Sequence, residues 1–182
     1  MTEKEARKIS KFLSLLLRHN PGKVGLALNA QGWADVQELI LKINEARGWE
    51  LTKKELDEVV ATNSKKRFAY NDDQSLIRAS QGHSIDIDLG LEPAAPPDKL
   101  FHGTAVRFSD SILAQGLNSR SRQHVHLSLD IETATAVGKR HGKPVILEVH
   151  SAQMATNGHL FYLSENNVWL TDHVPVKYLS LI

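Results

Sequence analysis

Arginine and histidine recur in this 182-residue chain where they could grip a phosphate or move a proton. Arg18-His19 ends an apolar helical repeat, Lys65-Lys66-Arg67 leads into an extended run, and Arg120, Arg122, His124 and His126 crowd one short stretch. A guanidinium stays protonated and holds phosphate oxygens in a bidentate fork. Imidazole is the side chain that changes charge near neutral pH. Each cluster also has a simpler reading. Cations at a helix C-terminus such as Arg18-His19 offset the macrodipole. The basic run before Phe68 is either a solvated wing or a contact to a phosphate backbone. The segment Arg78-Ala79-Ser80-Gln81-Gly82-His83-Ser84 is either a polar turn or a set of phosphate donors. In His102-Gly103-Thr104 the glycine allows close approach to the backbone, and His and Thr add hydrogen-bonding groups. The alternation His124-Val125-His126-Leu127 turns both imidazoles to one face of a strand. Without nearby carboxylates, an HExxH pattern or any cysteine, these histidines do not make a metal site, and none is expected.

The elements that must carry these groups follow from periodicity and punctuation. Thr2 and Glu5 form a capping box ahead of the stripe Ile9, Phe12, Leu13, Leu16 and Leu17, and Asn20-Pro21-Gly22 ends that helix. Asp35 and Glu38 open a second helix, with Val36, Leu39, Ile40 and Ile43 inward. Thr52 and Glu55 repeat the box before Leu56, Val59 and Val60. A hairpin of Arg67–Tyr70 and Leu76–Ala79 follows, turning at Asn71-Asp72-Asp73-Gln74. Three short helices closed by a hairpin is the element order of a winged-helix domain. From Asp86 to Asp98 periodicity is lost among Pro93, Pro96 and Pro97, which reads as an extended linker. Beyond it, strands are expected at 100–102, 125–128, 145–149, 160–163, 168–170 and 176–181. Helices are expected at Phe108–Gln115, closed by Gly116, and at Ile131–His141, closed by Gly142. The expectation is α+β, with residues 1–85 and 99–182 as two domains.

Composition removes other classes. With 41% hydrophobic and 24% charged residues and no cysteine, the chain is globular. It has no disulfide framework, thiolate zinc site or cysteine nucleophile. A net charge of +1 gives no general attraction for nucleic acid, so phosphate recognition must be local. Glu3 and Glu5 interrupt what would be the basic start of a signal peptide, and no apolar run is long enough for a membrane span. A cytoplasmic protein is expected. G-x-S-x-G, Walker A and G-x-G-x-x-G are all missing.

Five runs, in order, carry a resemblance. They are Arg18-His19-Asn20-Pro21, Lys65-Lys66-Arg67-Phe68, the run Ile77 to Ser84, Phe101-His102-Gly103-Thr104, and Arg122-Gln123-His124-Val125-His126-Leu127-Ser128. Together they resemble the RNA 2′-phosphotransferases, the NAD-dependent enzymes that remove an internal 2′-phosphate from RNA, as at a spliced tRNA junction or in RNA repair. The similarity runs from about Ile9 to the last strand. It implies an N-terminal winged-helix lobe joined to a C-terminal ADP-ribosyltransferase-like lobe. The family's Arg-His-Arg-Arg set falls on Arg18, His19, Arg67 and Arg122, and its NAD-site histidines on His102 and His126. Further cofactor contacts are implied at Gly103, Thr104, Ser128, Gly116 and Leu117.

The resemblance implies two steps. The RNA 2′-phosphate attacks the anomeric carbon of NAD+, releasing nicotinamide and leaving phospho-ADP-ribosylated RNA. The neighbouring ribose hydroxyl then attacks that phosphate, giving 2′-OH RNA and ADP-ribose 1″,2″-cyclic phosphate. A phosphate monoester is already anionic, so it needs positioning rather than deprotonation. His19 is the candidate general acid or phosphate ligand. Where many ADP-ribosyltransferases place a late-strand Glu, this chain has Val168; a phosphate acceptor does not need that Glu. No metal is implied, and nothing demands more than a monomer. Two other readings stay in view. One is an ADP-ribosyltransferase acting on a terminal nucleic-acid phosphate or on protein, which would not need Arg18-His19. The other is a non-enzymatic winged-helix nucleic-acid binder, disfavoured by Glu55, Asp57 and Glu58 on the helix that would read the groove.

Overall fold

The computed structural model describes every residue from Met1 to Ile182, and the chain divides into two compact units, Met1–Gly90 and Leu91–Ile182. The first unit begins with α1 (Glu3–Arg18), where the capping box forms as the spacing predicts. Thr2 Oγ1 accepts from the Glu5 backbone N–H, and the Glu5 carboxylate accepts from the Thr2 N–H. Its buried face is Phe12, Leu13, Leu16 and Leu17. A 3-10 turn, Pro21–Val24, stops the helix at the expected proline. The short β1 (Ala34–Asp35) precedes α2 (Val36–Arg47), which Asp35 caps through the Glu38 N–H. The second capping box forms between Thr52 and Glu55 at the start of α3 (Lys53–Thr62). The hairpin is β2 (Phe68–Tyr70) and β3 (Leu76–Ala79), and β1 adds to it in the antiparallel order β1-β3-β2. Leu13, Leu16, Leu17, Leu39, Ile43, Leu56 and Ile77 form one core beneath the sheet and helices.

The second unit is built on antiparallel strands. Its central sheet runs β11-β7-β4, from β4 (Leu100–Ala105), β7 (Pro144–Val149) and β11 (Leu179–Leu181). A second sheet runs β6-β9-β8, from β6 (Val125–Leu127), β8 (Tyr162–Leu163) and β9 (Trp169–Thr171). A third pairs β5 (Leu117–Asn118) with β10 (His173–Val174). The helices are α4 (Val106–Gln115), α5 (Ile131–Gly138) and α6 (Ser151–Thr156). Leu100, Leu127, Leu147, Val149, Phe161 and Tyr178 are central to its core. Phe101 and Ser128 exchange backbone hydrogen bonds of 2.9 and 2.8 Å, so the central sheet meets the second one at that point.

Several expected elements change extent. The helix expected to reach His141 stops at Gly138, where a Cβ would come within 2.8 Å of the Thr104 carbonyl oxygen; the chain then turns through His141. The strand expected over 176–181 begins as a 3-10 turn, Val176–Tyr178, with only Leu179–Leu181 paired to β7. The 86–98 stretch is irregular and tied down at both ends. Asp88 N–H donates to Ala30, Ala94 N–H donates to Phe161, and the Ser151 hydroxyl donates to the Pro97 carbonyl. No helix is long and apolar enough to cross a membrane.

Candidate functional site

In the first unit, the end of α1, the end of α3 and the turn after β3 hold Arg18, His19 and Arg67. His19 is the C-cap of α1: its N–H donates to Leu15 O, and its exposed ring meets the Ser84 hydroxyl through Nδ1 at 2.8 Å. The Ser84 N–H also donates to the Arg18 carbonyl at 2.9 Å. Arg67 leaves α3 through Lys66, whose φ of 42° turns the chain sharply into the hairpin. Asn63, the C-cap of α3, holds Arg67 twice. Its Oδ1 accepts from the Arg67 N–H at 3.3 Å and from the guanidinium at 3.5 Å. Its amide also donates to Ser10 Oγ on α1 at 2.9 Å, linking the two helices that carry these groups. Asn63 carries no sequence signal beyond its place after a helix: Arg67 is only four residues on but outside any cap motif, and Ser10 is 53 residues away.

His83 lies in the same turn. It is 1% exposed, and neither ring nitrogen has a hydrogen-bond partner. Burial, followed by the charges of Arg18, His19 and Arg78, pushes its pKa down to about 4, so the ring is neutral at physiological pH. Arg78 stacks over the Trp33 ring, 4.4 Å from its centroid, and donates to the Leu89 carbonyl.

In the second unit, strand pairing brings His102 on β4 beside His126 on β6. His102 Nδ1 lies 3.0 Å from the His126 carbonyl oxygen. A carbonyl can only accept, so Nδ1 carries the proton and, in the neutral ring, Nε2 keeps its lone pair. Burial lowers the His102 pKa, and the hydrogen bond to the His126 carbonyl opposes part of that shift. Arg122 Nη1 lies 2.8 Å from His126 Nδ1. A guanidinium can only donate, so His126 accepts at Nδ1, and its proton sits on Nε2. The two imidazoles thus have opposite tautomers, with an acceptor at His102 Nε2 and a donor at His126 Nε2. Ser128 joins them through its pairing with Phe101. His124 turns instead toward Asp172, 3.7 Å from its carboxylate, and packs edge-on against Tyr162.

The glycines and Leu117 serve the fold. A Cβ at Gly103 would overlap the Ala134 carbonyl oxygen of α5, so the missing side chain is explained by helix packing. Only its backbone is left for a ligand. Thr104, on the opposite face of β4 from Gly103, is buried at 6% exposure. Gly116, with φ of 84°, caps α4, and a Cβ there would overlap the Val174 carbonyl. Leu117 is core and pairs with Val174 in the separate β5–β10 sheet. Val168 lies in the turn before β9, its N–H held by Ser164 Oγ at 3.0 Å.

The family model described as "RNA 2'-phosphotransferase, Tpt1 / KptA family" matches residues 4–173. Similar curated proteins, each named "Probable RNA 2'-phosphotransferase", come from several bacteria. The Flavobacterium johnsoniae protein is 57% identical over 180 residues, 99% of this chain and 98% of that one. The Hahella chejuensis protein is 54% identical over 180 residues, 99% of this chain and 96% of that one. The Nostoc punctiforme protein is 48% identical across all of both chains. The match takes in both units and all five runs that carry the resemblance, and the chain belongs to the RNA 2′-phosphotransferase, Tpt1 / KptA family.

Proposed function

We propose that the protein transfers an internal RNA 2′-phosphate to NAD+, by way of phospho-ADP-ribosylated RNA, yielding 2′-OH RNA, ADP-ribose 1″,2″-cyclic phosphate and nicotinamide. The observation that carries this reading is membership of a phosphotransferase family over residues 4–173. The first unit is read as a winged-helix lobe and the second as an ADP-ribosyltransferase-like lobe.

Arg18 and Arg67, with Arg122 as the third guanidinium, bind the 2′-phosphate, orient it for attack and later stabilise the charge on the transferring phosphoryl group. NAD+ supplies the electrophilic ribose carbon, whose bond to nicotinamide breaks as the phosphate oxygen bonds to it. In the second step the vicinal hydroxyl bonds to phosphorus, and the bond to the RNA 2′-oxygen breaks. That oxygen takes up a proton, which His19 delivers as general acid, while the attacking hydroxyl gives up its own proton to solvent. The opposite tautomers of His102 and His126 fit a ligand that offers both a hydroxyl donor and an acceptor, as a ribose beside a carboxamide does. Arg122 holds the His126 ring and adds positive charge near it. Thr104 and Ser128 complete the polar surface, with Gly103, Gly116 and Leu117 contributing backbone groups.

The test uses NAD+ and a short RNA bearing one internal 2′-phosphate, without added metal. Equal yields of nicotinamide, 2′-OH RNA and the cyclic phosphate are expected. Nicotinamide release with the ADP-ribose left on the RNA would instead identify a one-step ADP-ribosyltransferase, and no reaction would remove the catalytic assignment for this acceptor.

A further inference from the structure

The turn from Ser80 to Ser84 reaches both segments that bear the first unit's cationic groups. At one end, Ser80 N–H donates to Arg67 O at 2.9 Å, and the Ser80 hydroxyl donates to Lys66 O at 3.0 Å. At the other, the Ser84 N–H holds the Arg18 carbonyl, and the Ser84 hydroxyl meets His19 Nδ1. Between them Gly82 adopts φ of 87°, and the buried His83 ring anchors the turn. The Ser80 hydroxyl serves the backbone, whereas the Ser84 hydroxyl engages a ring that the proposed reaction uses.

We infer that Ser84 is a positioning residue for His19, its hydroxyl holding the imidazole through Nδ1 so that proton transfer falls to Nε2. This rests on the reading of His19 as the proton donor in the second step. Two features support it. First, a 2.8 Å contact is short enough to restrict the ring's rotation. Second, the same residue's backbone fixes the carbonyl of the preceding Arg18, so ring and helix end are held by one anchor. The charges that act on the neighbouring buried His83 are those of Arg18, His19 and Arg78.

Ser84→Ala removes the hydroxyl but keeps the backbone N–H on Arg18; Ser84→Thr restores a hydroxyl. Single-turnover assays on the full chain, following nicotinamide release and 2′-OH RNA formation separately, read the effect. In Ser84→Ala the ratio of second-step to first-step rate is expected to fall at least tenfold, with phospho-ADP-ribosylated RNA accumulating. Ser84→Thr is expected to recover most of that ratio, and Ser84→Ala to add nothing in a His19→Ala background. An unchanged ratio, or a full additional loss in the His19→Ala background, overturns the assignment. Ring 15N spectra of His19 without substrates separate this inference from the functional reading. A shift in Ser84→Ala that Ser84→Thr reverses supports the positioning role even if the wild type forms no cyclic phosphate, and identical His19 spectra in all three proteins contradict it.

Discussion

The two units hold their histidines and arginines by different means. In the first, Arg18, His19 and Arg67 sit at the ends of elements, secured by polar side chains from turns: Asn63 on Arg67 and Ser84 on His19. In the second, His102 and His126 lie on paired strands. Register and a ring-to-carbonyl hydrogen bond aim them, and Arg122 closes the arrangement. A group on a strand inherits the rigidity of the sheet, whereas a group at a helix end depends on individual hydrogen bonds. Losing one supporting contact should therefore cost function in the first unit, while the aim of the second unit's rings should be lost chiefly through damage to the sheet.

The largest effect should come from the side proposed to bind the phosphate. Arg67→Ala is expected to slow RNA dephosphorylation about a thousandfold, roughly 4 kcal/mol of transition-state stabilisation. Its urea midpoint should stay close to wild type. Asn63→Ala should cost nearer tenfold, because Asn63 acts on the reaction through the position of Arg67. Equal losses in the two variants would mean that Asn63 does more than position Arg67.

Gly103→Ala probes the other unit through the fold. Its methyl would meet the α5 backbone, which has no flexible end to move aside, so about 3 kcal/mol or more of destabilisation is expected. Circular dichroism melts would check this, and a variant as stable as wild type would show that α5 packs less rigidly than the contact implies.

Acidification should distinguish the units next. His83 has a folded pKa of about 4, below its ordinary 6.5. The unfolded chain therefore takes up this proton first as pH falls. The stabilising contribution is complete above about pH 6.5 and is lost as pH drops toward 4. At pH 5 the loss amounts to about 1–2 kcal/mol. Denaturant titrations at pH 7 and pH 5 should show His83→Gln losing less stability than wild type over that interval. The smallest effect belongs to a helix cap: Thr52→Ala removes one half of the second capping box and should cost about 1 kcal/mol without changing turnover.

The same contrast explains what could be read from the sequence. Capping boxes at Thr2–Glu5 and Thr52–Glu55, the Leu76–Ala79 strand and the α1 stripe rest on residues a few positions apart, and spacing reveals such features. Partners distant in sequence leave no local trace. The two-residue β1 exists because Ala34 and Asp35 pair with Ile77 and Leu76. The six-residue α6 is too short to display a period. Gly103 resembles a ligand-approach glycine when only His102 and Thr104 are in view; its reason is Ala134, on a later helix. Arg18, His19 and Arg67 were legible by type, yet Asn63 and Ser84, which steady them, were not. Ser84 meets His19 only through the tertiary fold, and Asn63, although four residues from Arg67, belongs to no spacing motif that marks the contact.

In the proposed reaction the second unit's histidines hold NAD+, and Arg18 and Arg67 of the first hold the 2′-phosphate. Calorimetric titration of NAD+ into wild type, His102→Ala and Arg18→Ala tests that division most directly. The account predicts at least a tenfold weaker affinity for His102→Ala and an affinity within about twofold of wild type for Arg18→Ala, since a hydrogen bond lost from a binding site costs on the order of 1.5 kcal/mol. An Arg18→Ala protein that loses NAD+ as severely as His102→Ala, or a His102→Ala protein that binds like wild type, would contradict it.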